Sequence, residues 1–389
     1  MKRPTSSKTF FRLSTLGLIA LLVILLAMVY LLLLRSPTAV YQGTDFLGYW
    51  GAANLLAHRD NPYDYDALLA LERKQGWPGP EPVSSWNPPW LHLLLLPLGA
   101  LPFRQAAALW FLVNPLLMGL SALLIWHTVS KRKGVPHTAL VLLATFLFSR
   151  SLHAMLEGQI NTLVLLGCAS FLALQSRGLL AGALLVLVTV KPHLAYLLLP
   201  ALLLDSLLRK RWRIIIGFSA CLVLLVLLVS WLFPSWPGAY RSLLEIPASP
   251  QNYPYTTPTI RGLLLAYTNF DIGIWPTVVC LAGFLIAIWR QHYSLDVSTI
   301  ASLSLLVGLP TAPFGWSTDQ VLLLLPILQI VAWTPRLTLA EKGVVVFSLT
   351  SIYLYALWFW LMNYQEVAFL ALPLAVGLLW VYAYRKAPG

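Results

Sequence analysis

The chain has 389 residues, of which 59% are hydrophobic and only 10% charged, with a mean hydropathy of +0.76. A soluble domain carries roughly 25% charge, so water is excluded as the main solvent. The net charge of +12 does not make a nucleic-acid surface, because the basic residues are spread over short loops instead of gathering on one soluble face.

The N-terminus carries Lys2, Arg3, Lys8 and Arg12, then an apolar run from Leu13 to Leu34 that ends at Arg35 without a small-residue cleavage site. It reads as an uncleaved first span with the N-terminus inside. Further apolar runs predict spans at 105–129, 137–155, 159–176, 178–190, 193–208, 213–233, 273–290, 295–310, 319–333, 343–362 and 367–384. They approach the ~20 residues a helix needs to cross a bilayer and lack a barrel's alternation, so the expectation is an all-α polytopic membrane protein. The chain is then a single membrane domain, 1–389, of about 12 transmembrane helices, with core spans in 105–233 and C-terminal spans in 273–384. Both termini are cytoplasmic. This threading puts 17 of the 26 basic residues inside with 3 of the 14 acids, net +14 inside against −2 outside, as the positive-inside rule requires.

Two outer loops are long. The first, 36–101, holds six of the fourteen acids. Phe46, Tyr49, Trp50, Ala53 and Leu56 stand at helical spacing and predict an amphipathic aromatic helix on the membrane surface. Pro88 to Leu101 is apolar but only about 21 Å long as a helix, so it dips into the outer interface without crossing. The second loop, 234–271, is rich in Pro, Tyr, Ser and Thr and carries Arg241 and Arg261. Cys168, Cys221 and Cys280 sit inside apolar runs and read as small core residues, with no metal-ligand spacing and no cofactor motif.

Several polar groups fall at the outer ends of spans. Asp45 suits either an N-cap for the helix that follows or a general base that takes a proton from a hydroxyl. Trp86-Asn87-Pro88-Pro89-Trp90-Leu91-His92 suits an interfacial anchor, or His92 hydrogen-bonds a substrate. Glu157, Gln159 and Asn161, with Arg150 and His153 before them, form an ordinary loop or a site for hydroxyl recognition. Lys191-Pro192-His193 lies between two short spans, a pointer to a buried polar site. Its lysine either snorkels to the headgroups or meets a lipid phosphate. Trp316-Ser317-Thr318-Asp319 is a helix N-cap or a further part of the site.

The ordered set Asp45-Phe-x-x-Tyr49-Trp50-x-Ala52-Ala53, Asn61-Pro62-Tyr63, Pro88-Pro89-Trp90, Leu96-Pro97-Leu98, Gly158-Gln159-x-Asn161, Ala181-Gly182 and Lys191-Pro192 resembles glycosyltransferase family 87. These are polyprenyl-phosphate-mannose-dependent mannosyltransferases of GT-C type. The resemblance runs from about residue 41 to about 213 and returns weakly at Trp316 to Pro326. It implies a polyprenyl-phosphate-linked sugar donor, a lipid or glycan acceptor, and inverting transfer on the outer face. It also implies Asp45 as the catalytic base, Lys191 near the donor phosphate, Gln159 with Asn161 near the sugar and a polar residue at Asp319; the residue reading adds His193 and Arg261 at the donor phosphate, and Tyr49, His92, Glu157, Trp316 and Asp319 toward sugar and acceptor. Tyr255 to Leu263 departs from the family pattern, which leaves acceptor contacts and the choice of mannose, another hexose or a pentose open. Two other classes compete. A lipid-linked sugar flippase or transporter would place charge along a pathway, and a membrane scaffold would leave the ordered outer motifs without a purpose.

Overall fold

The computed structural model describes residues 23–130, 134–245, 256–291 and 293–387. Residues 13–22 of the first expected span, the basic residues before them, Lys131 to Lys133, and Tyr255 lie outside the described set. All secondary structure among the described residues is helical.

Five helices are long and apolar enough to cross a membrane: Phe103–Val129, Trp212–Leu232, Ser317–Arg336, Leu339–Leu361 and Glu366–Lys386. Counting two bent pairs as spans gives up to seven among the described residues. Shorter apolar helices cover Val23–Arg35, Pro192–Leu208, Trp275–Gln291 and Val297–Thr311. The outward side chains are apolar, with Leu227, Trp231, Val346 and Phe347 all more than half exposed. Such a surface is stable against lipid and not against water. Ser317–Arg336 is the central element, 78% buried, whereas Leu339–Leu361 stands at the rim with 17% buried.

Two expected spans are broken. The run at 137–155 bends by 64° between Pro136–Leu147 and Ser149–Leu156, because Phe148 takes an extended conformation (ψ 110°). The runs at 159–176 and 178–190 meet at 89°, and the second tightens into a 3-10 turn over Val186–Val190. Lys191 follows at φ −127°, ψ 82°, outside any helix. Pro192 dictates this, since its ring drives the preceding residue out of the α region, while proline is itself well accommodated in the first turn of Pro192–Leu208.

The first outer loop corrects one expectation. Phe46–Ala57 is a helix, but it is not amphipathic and does not lie on a surface, because ten of its twelve residues are buried. Glycine explains the burial: a Cβ on Gly48 would stand 1.8 Å from the Val83 carbonyl oxygen, so the Pro-rich strap over residues 77–88 runs directly against the helix backbone. The amphipathic member of the loop is Tyr65–Lys74, N-capped by Asp64, whose Oδ1 accepts from the Ala67 N–H at 2.9 Å. It turns Leu68 and Glu72 inward. Glu72 is fully buried and accepts from the Val83 N–H at 2.8 Å, fixing the strap from the other side. Burial pushes its carboxyl up to about 7, opposed by that hydrogen bond. Pro89–Leu94 and Leu96–Gly99 are short helices that do not cross.

Candidate functional site

The site is assembled around the turn Glu157-Gly158-Gln159, whose three carbonyls are each held by a different donor. Asp45 N–H donates to Glu157 O at 3.0 Å, Trp110 Nε1 to Gly158 O at 2.8 Å, and Asn114 Nδ2 to Gln159 O at 3.0 Å. Gly158 takes φ +62°, the left-handed region that costs glycine nothing. The turn is thus fixed between the start of Phe46–Ala57 and the long helix Phe103–Val129, and it presents the Gln159 side chain inward.

Gln159 links both sides of the site. Its Nε2 donates to Asp45 Oδ2. Its Oε1 accepts from Lys191 Nζ at 2.8 Å and from the Tyr49 hydroxyl at 3.1 Å. Lys191 Nζ also donates to Asp319 Oδ1 at 3.0 Å. The other carboxylate oxygen of Asp319 accepts from the Trp316 N–H at 2.8 Å and lies 3.6 Å from His193 Nε2. One continuous chain therefore runs Asp45, Gln159, Lys191, Asp319, His193. Lys191, Gln159 and Asp319 are buried, while Asp45, His193 and the neighbouring Pro192 reach the surface.

Asp45 occupies the N-cap position of Phe46–Ala57, but its side chain makes no capping bond and its backbone is helical. Its carboxylate is free of the helix and turned to Gln159. Burial pushes its carboxyl up to about 6, with Lys191 pulling down, Glu157 and Asp319 pushing up and His153 pulling down. A carboxylate with that proton affinity, partly open to solvent, is suited to accept a proton near neutral pH.

The remaining sequence candidates fall in different places. Glu157 is beside the chain through its backbone, and its side chain pairs with His153 at 3.6 Å. Trp316 is partly exposed at the edge of the cluster. Asn161 is buried at the start of its helix, and neither its Oδ1 nor its Nδ2 has a hydrogen-bond partner among the described residues. His92 is buried, bonded through Nε2 to Ser85 Oγ at 2.9 Å, with Tyr63 edge-on, so it supports the strap. Arg261 is not brought to Lys191: its guanidinium pairs twice with Asp271, both at 2.7 Å. That pair holds the Asp271 carboxyl down to about 2.

One support escaped the sequence reading, and a second was read there only as an interfacial anchor. Asn114 holds Gln159 O and accepts from Thr162 Oγ1 at 2.6 Å; its signal was a lone amide inside a long apolar helix. Asn87 Nδ2 donates to Val190 O at 2.7 Å, and Trp90 Nε1 to Thr189 Oγ1 at 2.9 Å, tying the strap to the turn that delivers Lys191. An apolar cavity of about 300 Å³ is lined by Leu94, Leu98, Val113, Leu163, Leu187 and Trp110, the residue that holds Gly158 O, among others. Among the described residues no three His, Cys, Asp or Glu side chains are arranged to hold a metal ion.

The family model of glycosyltransferase family 87 matches residues 86–313, more than half of the chain. No curated protein and no solved structure matches it.

Proposed function

Because the chain belongs to glycosyltransferase family 87, we propose that it moves a sugar, mannose in this family, from a polyprenyl-phosphate donor to a hydroxyl of a lipid or glycan acceptor. The acceptor hydroxyl gives its proton to the Asp45 carboxylate and its oxygen attacks the anomeric carbon from the face opposite the phosphate. The bond from that carbon to the phosphate oxygen breaks, and its electron pair leaves with polyprenyl phosphate. Inversion follows from this in-line geometry. Lys191, with His193 beside it, offsets charge on the departing phosphate, as cations aimed at a leaving oxygen do. Arg261, committed to Asp271, takes no part. Tyr49, Glu157, Asn161 and Trp316 are proposed to supply hydroxyl, carboxylate, amide and ring to sugar and acceptor.

The observation that carries this reading is that a partly open carboxylate of raised proton affinity and a buried ammonium are separated by one amide. The apolar cavity supports a lipid-linked donor: Trp110 in its wall also holds Gly158 O, and Leu187 precedes Lys191 by four residues. A flippase would need charge along a path through the bilayer, whereas these charges form a single cluster. The proposed threading keeps twelve spans and both termini cytoplasmic, with the site facing outward. In liposomes containing polyprenyl-phosphate-mannose, Asp45→Asn is expected to lower sugar transfer by about 10²- to 10⁴-fold, the range for loss of a general base. Turnover within a few-fold of wild type in folded protein would overturn the assignment.

A further inference from the structure

The orientation of the Gln159 amide is set by its neighbours. Lys191 is an ammonium and carries donors only, so the end of Gln159 that meets it is the carbonyl oxygen. Tyr49 adds a second donor to that oxygen. The NH2 end is thereby turned to Asp45, where it donates to Oδ2. A donor in that position favours the ionised carboxylate and so opposes proton uptake. The charged groups facing Asp45 are Lys191 from the start of Pro192–Leu208, Glu157 and His153 from the helix Ser149–Leu156 and its end, and Asp319 from the turn Ser317–Leu323. Tyr49 reaches the same amide from the helix that Asp45 begins. Of these, Lys191 is the one that a phosphate draws to itself.

Resting on the proposed transfer reaction, we infer that Gln159 is a positioning residue that makes the basicity of Asp45 depend on whether a lipid phosphate occupies Lys191. With the site empty, Lys191 locks the amide, and the bond from Gln159 holds the proton affinity of Asp45 below what burial alone would give it. A phosphomonoester that captures the Lys191 ammonium removes the charged donor from Gln159 Oε1. Only the neutral Tyr49 hydroxyl then holds Oε1, so the amide turns more easily, the bond to the carboxylate weakens, and Asp45 gains proton affinity when a donor is present to react. The base is thus strengthened by donor binding. Gln159 touches neither the anomeric carbon nor the phosphate in this scheme.

The test uses the full chain in lipid nanodiscs, with farnesyl phosphate as the probe. The Asp45 carboxyl stretch is identified in infrared difference spectra by its loss in Asp45→Asn, and its titration midpoint is measured with and without the probe. In wild type the midpoint is expected to rise by about one pH unit on binding, the loss of one hydrogen bond to a charged group. In Gln159→Leu the midpoint starts higher and moves less than half as far. Gln159→Met provides the same measurement if the leucine variant does not fold. Binding without a rise, or an equal rise in wild type and in the Gln159 variant, overturns the coupling and leaves the transfer reaction standing. Failure of farnesyl phosphate to raise the thermal stability of wild type overturns the phosphate site at Lys191 and the coupling with it.

Discussion

Two buried polar clusters meet at the turn Ser317–Leu323, and they differ in how completely their hydrogen bonds are made. In the first, Asp45, Gln159, Lys191 and Asp319 each have partners, and both oxygens of Asp319 are engaged. In the second, built on Ser149–Leu156, the start of Asn161–Ala173 and the same turn, Ser149 Oγ, Ser151 Oγ, Arg150 Nε, Thr318 Oγ1, Gln320 Oε1 and both side-chain atoms of Asn161 have no partner among the described residues. Arg150 there rests its guanidinium over Phe369 at 4.2 Å and Trp360 at 5.7 Å and donates to Ala356 O at 3.2 Å and to His153 Nδ1 at 3.3 Å. The lesson is one of preorganisation: Asp45, Gln159, Lys191 and Asp319 hold one another in the empty site, and of this hydrogen-bonded chain only one buried polar atom, His193 Nε2, lacks a hydrogen bond among the described residues. The neighbouring groups make no such bonds among the described residues.

That contrast is broken most sharply by removing one charge from the bonded cluster. Lys191→Met leaves Asp319 as a buried unpaired carboxylate and is expected to cost about 3–5 kcal/mol, read as a lowered denaturation temperature. The double variant Lys191→Met with Asp319→Leu should recover most of that stability while sugar transfer stays lost; recovery of transfer would show that the pair is structural only. A smaller effect is expected from pH. Asp45 acts as its carboxylate, so transfer at donor concentrations well below saturation should fall about tenfold per unit as pH drops below about 6, and a flat profile from 5 to 7 would remove it from the proton step.

Glu72 tests a buried carboxylate outside either cluster. Its folded-state carboxyl lies near 7, above the ordinary 4.5, so between those values the folded chain holds a proton that the unfolded chain has lost. Stability therefore declines as pH rises through that window. Glu72→Gln keeps an acceptor for the Val83 N–H and should be more stable than wild type by on the order of 2 kcal/mol at pH 8, with no difference at pH 4. The smallest change is expected in the unbonded cluster. Thr318→Val and Ser151→Ala should fall within about 1 kcal/mol of wild type, since each removes a hydroxyl that has no partner to lose. A loss comparable with that of Lys191→Met would show that these hydroxyls are bonded in the working protein.

The membrane class and most helix positions were legible because long apolar runs between basic loops follow directly from the cost of burying charge in lipid. The break at Phe148 was not, since that residue is neither proline nor glycine and only tertiary packing bends the chain there, while the boundary expected at residue 177 falls three residues earlier, at Leu174. Asp45, Gln159, Lys191 and Asp319 were each singled out from sequence as polar groups at span ends, yet their direct contact was not readable: it depends on folding that brings together residues 114 and 128 positions apart. The aromatic spacing after Asp45 was read as a surface helix because periodicity does not reveal what covers the opposite face. Here Gly48 and Gly51 were the overlooked signal, as small residues that let the strap and Leu68 approach. Arg261 attracted attention as a cation near a conspicuous loop, and the carboxylate ten residues later was what the reading lacked.

The hydrogen bonds from Asn87 to Val190 O and from Trp90 to Thr189 have a consequence for protein engineering. The outer strap and the turn ahead of Lys191 form one interlocking module, although about a hundred residues separate them in the chain. A chimera that imports residues 36–101 from another member of the family inherits a working graft only if residues 186–191 are transplanted from the same parent, and directed recombination should place its crossovers accordingly.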